Sequence, residues 1–61
     1  MINIQFITSG TNALGQRVVL WRLGNYRYSL EIDGQDHQFE AEYYDALEHF
    51  NLEIDQARET A

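Results

Sequence analysis

Apolar and polar positions alternate through the opening stretch MINIQFIT, where Ile2, Ile4 and Phe6 stand against Asn3 and Gln5. A period of two marks a half-buried strand. The next stretch, SGTNALGQ, is a loop by its Ser, Gly, Thr and Asn content. RVVLWRL and YRYSLEI are rich in β-branched and aromatic residues and predict two strands. Gly24-Asn25 between them is a two-residue hairpin signal, and Asp33-Gly34 inside EIDGQDHQFE repeats it.

The two turns make a joint statement about register. With Gly24-Asn25 as the loop, Leu23 faces Tyr26, Trp21 faces Tyr28 and Val19 faces Leu30. With Asp33-Gly34 as the loop, Tyr28 faces Phe39 and Leu30 faces His37. Both registers collect Val19, Trp21, Leu23, Tyr26, Tyr28, Leu30, Ile32 and Phe39 on one face, whereas a one-residue slip scatters them over two. The outer face then holds Val18 and Leu20, with Ile7 a further candidate, beside Arg22 and Arg27.

From Glu40 onward the period changes. Tyr43, Ala46, Leu47, Phe50, Ile54 and Ala57 recur at spacings of three and four, which is one stripe of a helix. Asn51 is a candidate kink, and NLEID alternates like a short strand, but the stripe continues across the break and favours a helix. The expected fold is α+β: a β-β-β-β-α chain, with a meander of three to four antiparallel strands and one C-terminal helix across one face.

A chain of 61 residues without proline, linker or repeat is expected to form one domain, 1–61, with one small core. The absence of cysteine removes disulfides, thiolate metal ligands and thiol nucleophiles. No apolar run is long enough to span a membrane. The N-terminus lacks the basic start and apolar block of a signal peptide, so a cytoplasmic location is the expectation.

The net charge is −6, which argues against direct contact with nucleic acid or an anionic membrane. Its distribution is uneven. Residues 1–39 balance Glu31, Asp33 and Asp36 against Arg17, Arg22 and Arg27, while residues 40–61 carry seven acids and only Arg58. On a helical wheel Asp45, Glu48, Asp55 and Glu59 lie opposite the apolar stripe with Leu52 among them. This row extends over roughly 21 Å at 1.5 Å per residue. A solvated helix face accounts for acids in such places. Two features add to that account: like charges three and four apart disfavour the helix that carries them, and no lysine intersperses the row. An apolar residue inside a charged rim is the layout of a protein-binding surface for a basic partner. Val18, Leu20, Arg22 and Arg27 form a possible second surface, for a partner or a second copy.

Catalytic chemistry has little support. Asp45, His49 and Glu53 stand four residues apart on one helix flank, too far along it for one ion without a further ligand, so neither metal nor cofactor is expected. His37 reads as a sheet-edge residue. Ser9 and Ser29 lack a nucleophile's surroundings, and the glycines of SGTNALGQ lack the lysine and spacing of a phosphate-binding loop. An enzyme is the class least supported.

In size, acidity and lack of catalytic apparatus the chain resembles the small proteins that phages encode against host machinery, such as anti-CRISPR proteins. The resemblance is one of type and transfers no residue roles. With the charge row it implies an inhibitor or adaptor that occupies a basic, nucleic-acid-binding surface on another protein, its carboxylates standing in for phosphates. The competing expectation is a homo-oligomeric structural or regulatory subunit joined through the outer sheet face.

Overall fold

The computed structural model describes residues 4–59, with side chains through residue 55. Four strands are followed by one helix: β1 Gln5–Thr11, β2 Arg17–Gly24, β3 Arg27–Ile32, β4 Gln35–Glu40 and α1 Tyr43–Glu59. The strands form one antiparallel sheet in the order β1-β2-β3-β4. The α+β meander with a C-terminal helix is the architecture expected from the pattern.

The second hairpin closes as its residues dictate. Asp33 and Gly34 both take positive φ, 52° and 85°, as a two-residue turn matching the twist of its strands requires. Tyr28 then pairs with Phe39 and Leu30 with His37.

The first hairpin does not close at Gly24-Asn25. Its turn is Asn25-Tyr26, with Tyr26 at φ 60°. Left-handed backbone costs a residue with a Cβ roughly 1–2 kcal/mol. Pairing runs Leu20 to Leu30, Trp21 to Ser29, Arg22 to Tyr28 and Gly24 to Arg27, which leaves Leu23 as the extra residue of a bulge. The register is therefore one residue from the expected one, and the β2 side chains exchange faces. Val18 and Leu20, expected outside, are core residues with no exposed surface. Val19, Trp21 and Leu23, expected inside, are on the face away from the helix. Tyr26 is an exposed tip residue.

A second bulge changes the phase of β1. Phe6 pairs with Trp21 and Thr8 with Leu20, so Ile7 is extra. Ile7 packs against the core, while Phe6 and Ile4 are exposed. Expected positions are reversed here too: the alternation puts Ile4 and Phe6 inside and makes Ile7 a candidate for the outer face. Ile2 lies outside the described residues. The β1–β2 connection is tied by buried Asn12, whose Oδ1 accepts from the backbone N–H of Leu14 at 3.1 Å and of Gln16 at 3.0 Å.

The helix begins at Tyr43, because β4 keeps Glu40 in the sheet opposite Arg27. It continues unbroken through Asn51, so NLEID forms no strand. Ala46 and Phe50 are buried, and Leu47 and Ile54 pack against the same cluster of Val18, Leu20, Tyr28 and Leu30. The stripe is as expected except at its ends: Tyr43 is exposed, and the Ala57 side chain is outside the described residues. Gly10 permits the close approach of α1 to β1. A Cβ there would stand 3.3 Å from both Phe50 Cζ and Ile54 Cδ1, tighter than ordinary packing.

Of the residues expected inside, the core therefore takes Tyr28, Leu30, Ala46 and Phe50, with Ile32, Phe39, Leu47 and Ile54 at its margin, and it excludes Trp21. Leu20→Ala is expected to cost about 2–5 kcal/mol and Phe50→Ala about 3–5 kcal/mol, enough to threaten a domain this small. Trp21→Ala is expected to cost less than either in urea denaturation. A larger loss at Trp21 than at Leu20 would contradict the register.

Candidate functional site

Two surfaces are built by this fold. The first is the solvent side of α1. Burying Ala46 and Phe50 turns the opposite stripe outward, and Asp45, Glu48 and Asp55 are all exposed there. Leu52, 54% exposed, sits among them. The structure thus brings together four of the five predicted residues on one helix face; the Glu59 side chain lies outside the described residues. Tyr44, 80% exposed and next to Asp45, borders the row, and its ring meets that of Tyr43 edge to face with centroids 5.5 Å apart. The wheel places Tyr44 near this edge, yet a residue between stripe and row has no period of its own to mark it.

Asp45 also lies in the first helical turn, where a carboxylate is favourable against the positive end of the helix dipole. That contribution partly offsets the repulsion along the row. His49, on the flank, turns its ring toward Phe39 with centroids 4.7 Å apart, closing the edge of the core. Among the described residues, no group of three or more His, Cys, Asp or Glu side chains is placed to hold a metal ion. No described helix is long and apolar enough to cross a membrane.

The expected second surface is not assembled. Val18 and Leu20 are buried beneath the helix. Arg22 and Arg27 are on opposite faces, because the slipped register sets Arg22 beside Tyr28 on the helix side and leaves Arg27 on the outer side. The Arg22 guanidinium donates to the Gly24 carbonyl at 3.4 Å and to Asn25 Oδ1 at 3.2 Å. It lines a groove with Tyr26, Tyr28 and Tyr43 at the end of the sheet.

The outer sheet face carries a different set. Phe6 and Trp21 meet edge to face with centroids 5.8 Å apart. Val19, on the same face, is only 4% exposed. Beside them Trp21 Nε1 donates to Glu31 Oε1 at 3.2 Å, and Ser29 Oγ donates to Asp36 Oδ1. No family model, curated protein or solved structure is found to match the chain.

Since the exposed helix side chains lie away from the core, Leu52→Ala should leave stability within about 0.5 kcal/mol of the parent, and Asp45→Lys/Glu48→Lys should cost no more than about 1–2 kcal/mol, because a lysine at Asp45 meets the positive end of the helix dipole. Thermal melts followed by circular dichroism check this. A large loss in either would mean that these side chains support the fold.

Proposed function

We propose that the chain is a small acidic protein-binding module whose helix face docks on a basic partner, at a surface of the kind that otherwise holds nucleic acid. The observation that supports this most is the exposed row of Asp45, Glu48 and Asp55 around Leu52 on one regular helix. A helix holds its carboxylates at fixed spacing, so little conformational freedom is lost when arginine and lysine forks meet them. The charge steers encounter, and Leu52 supplies apolar area that leaves water on docking. Occupying the partner's basic surface excludes nucleic acid from it, so the module acts as an inhibitor or adaptor without chemistry of its own.

A second reading, a homo-oligomeric structural or regulatory subunit, draws on the outer sheet face, where Ile4 and Phe6 are exposed. Salt separates the two readings. An electrostatic complex weakens steeply as ionic strength rises, and an apolar homodimer does not.

The test is binding kinetics against the basic protein recovered with this chain from its source cell, at low and moderate salt. Asp45→Lys/Glu48→Lys is expected to slow association and raise Kd, with nucleic acid competing for the same surface. Leu52→Ala is expected mainly to speed dissociation, since it removes buried area rather than charge. Unchanged affinity of the double charge reversal at both salt concentrations would sink the reading.

A further inference from the structure

On the side of the sheet away from α1, Ile4, Trp21 and Leu23 wall a groove of about 310 Å³ whose remaining lining is Ser29, Glu31 and Asp36. Its apolar wall is open to solvent: Ile4 is 61% exposed and the neighbouring Phe6 53%. Apolar side chains grouped this way on a small domain mark a contact surface.

The polar wall says what kind of contact. Glu31 and Asp36 are directly opposed on β3 and β4, and like charges in that position repel. Both carboxylates are held from below, Glu31 by the Trp21 indole N–H and Asp36 by the hydroxyl of Ser29, a residue 1% exposed. Each bond engages one oxygen and leaves the other to accept from a ligand. Arg17 is not part of the groove's lining, and Arg27 lines the adjoining cavity with Ile4, Leu23 and Gln38, so within the groove itself the charged side chains are the two carboxylates. A cation between Glu31 and Asp36 relieves their repulsion, and the Trp21 ring offers the adjoining aromatic surface.

We propose that this face docks a protein segment bearing an arginine among apolar residues, with the guanidinium between Glu31 and Asp36 and the stem and its neighbours along Ile4, Trp21 and Leu23. Arginine fits because its planar fork serves two carboxylates and lies flat on an aromatic ring. The inference rests on the reading of the chain as a binder of basic proteins, and it adds a contact on the face opposite the helix. A second copy is the poorer occupant, since it brings the same opposed carboxylates and a further charge of −6.

Trp21 is the chain's one tryptophan, so its emission reports directly on the groove. The probe is the tripeptide acetyl-leucyl-arginyl-leucinamide, compared with its citrulline analogue, which keeps the shape and loses the charge. Saturable change in Trp21 emission is expected with the arginine peptide, and binding weaker by about tenfold with citrulline, for loss of a charge-assisted pair. The double variant Glu31→Gln/Asp36→Asn keeps an acceptor oxygen for Trp21 and for Ser29. It should lose arginine binding to the same extent, while Glu42→Gln, an exposed residue just ahead of the helix and outside both surfaces, binds normally. Equal response to the two peptides, no saturable response, or undiminished binding by the folded groove variant would each overturn the proposal. So would sedimentation as a dimer with a concentration-dependent shift of Trp21 emission, which would assign the face to a second copy. If the double variant fails to fold, the citrulline comparison on the parent chain still decides. Failure here with intact dependence of partner binding on Asp45 and Glu48 removes the groove alone, and the opposite outcome removes the helix-face reading alone.

Discussion

Tyr26 holds a left-handed backbone at the tip of the β2–β3 hairpin, and with Leu23 bulged the strands pair Leu20 with Leu30 and Trp21 with Ser29. Because successive residues of a strand alternate between faces, that pairing decides the side of every β2 residue. It sends Val18 and Leu20 under the helix and Trp21 to the opposite face. The strain of Tyr26, roughly 1–2 kcal/mol, is no larger than the burial of one aliphatic side chain, about 1.5–3 kcal/mol, so a modest packing advantage of Val18 and Leu20 over Trp21 and Leu23 beneath the helix is enough to offset it. The bulge at Ile7 acts in the same sense, turning an isoleucine inward at the point where β1 meets Leu20.

The helix depends on the core so arranged. Its acidic row works against helix formation, and an isolated helix of this length is marginal in water. What holds it is the stripe of Ala46, Leu47, Phe50 and Ile54 on the sheet, with Gly10 admitting the ring of Phe50. One covered face satisfies the core, and the molecule is left with two outward surfaces of different character. The helix side is a row of carboxylates around a leucine. The sheet side is aromatic and apolar, with two carboxylates aimed by Trp21 and Ser29. Both proposed contacts look to a basic protein, one through steering charge and the other through a seated arginine.

How much of this the residues announce depends on bulges. Asp33-Gly34 allows one turn, with positive φ at both positions, and the pairing of β3 with β4 follows from it. The helical stripe is equally legible, because six positions must agree on one period. Gly24-Asn25 is an equally plausible turn on composition, but the residues that close the hairpin are Asn25 and Tyr26. An aromatic residue in left-handed backbone has no local signature, since the preference it violates is offset by burial elsewhere. Alternating MINIQFIT misleads for the same reason: a bulge at Ile7 reverses the phase without changing the composition. The helix row could be foreseen because exposure opposite a stripe follows from the period alone. The outer groove could not, since its members come together only in the slipped register.

The register is tested most directly by nuclear Overhauser contacts of the Trp21 indole in the free protein. The pairing of Trp21 with Phe6 and Ser29 requires contacts from the indole to the Phe6 ring and to the Glu31 side chain. It requires none from the indole to the rings of Tyr28 or Phe50, which belong to the core on the other side of the sheet. Strong indole contacts to Tyr28 and Phe50, with Val18 and Leu20 methyls silent toward the helix, would contradict it and return Trp21 to the core.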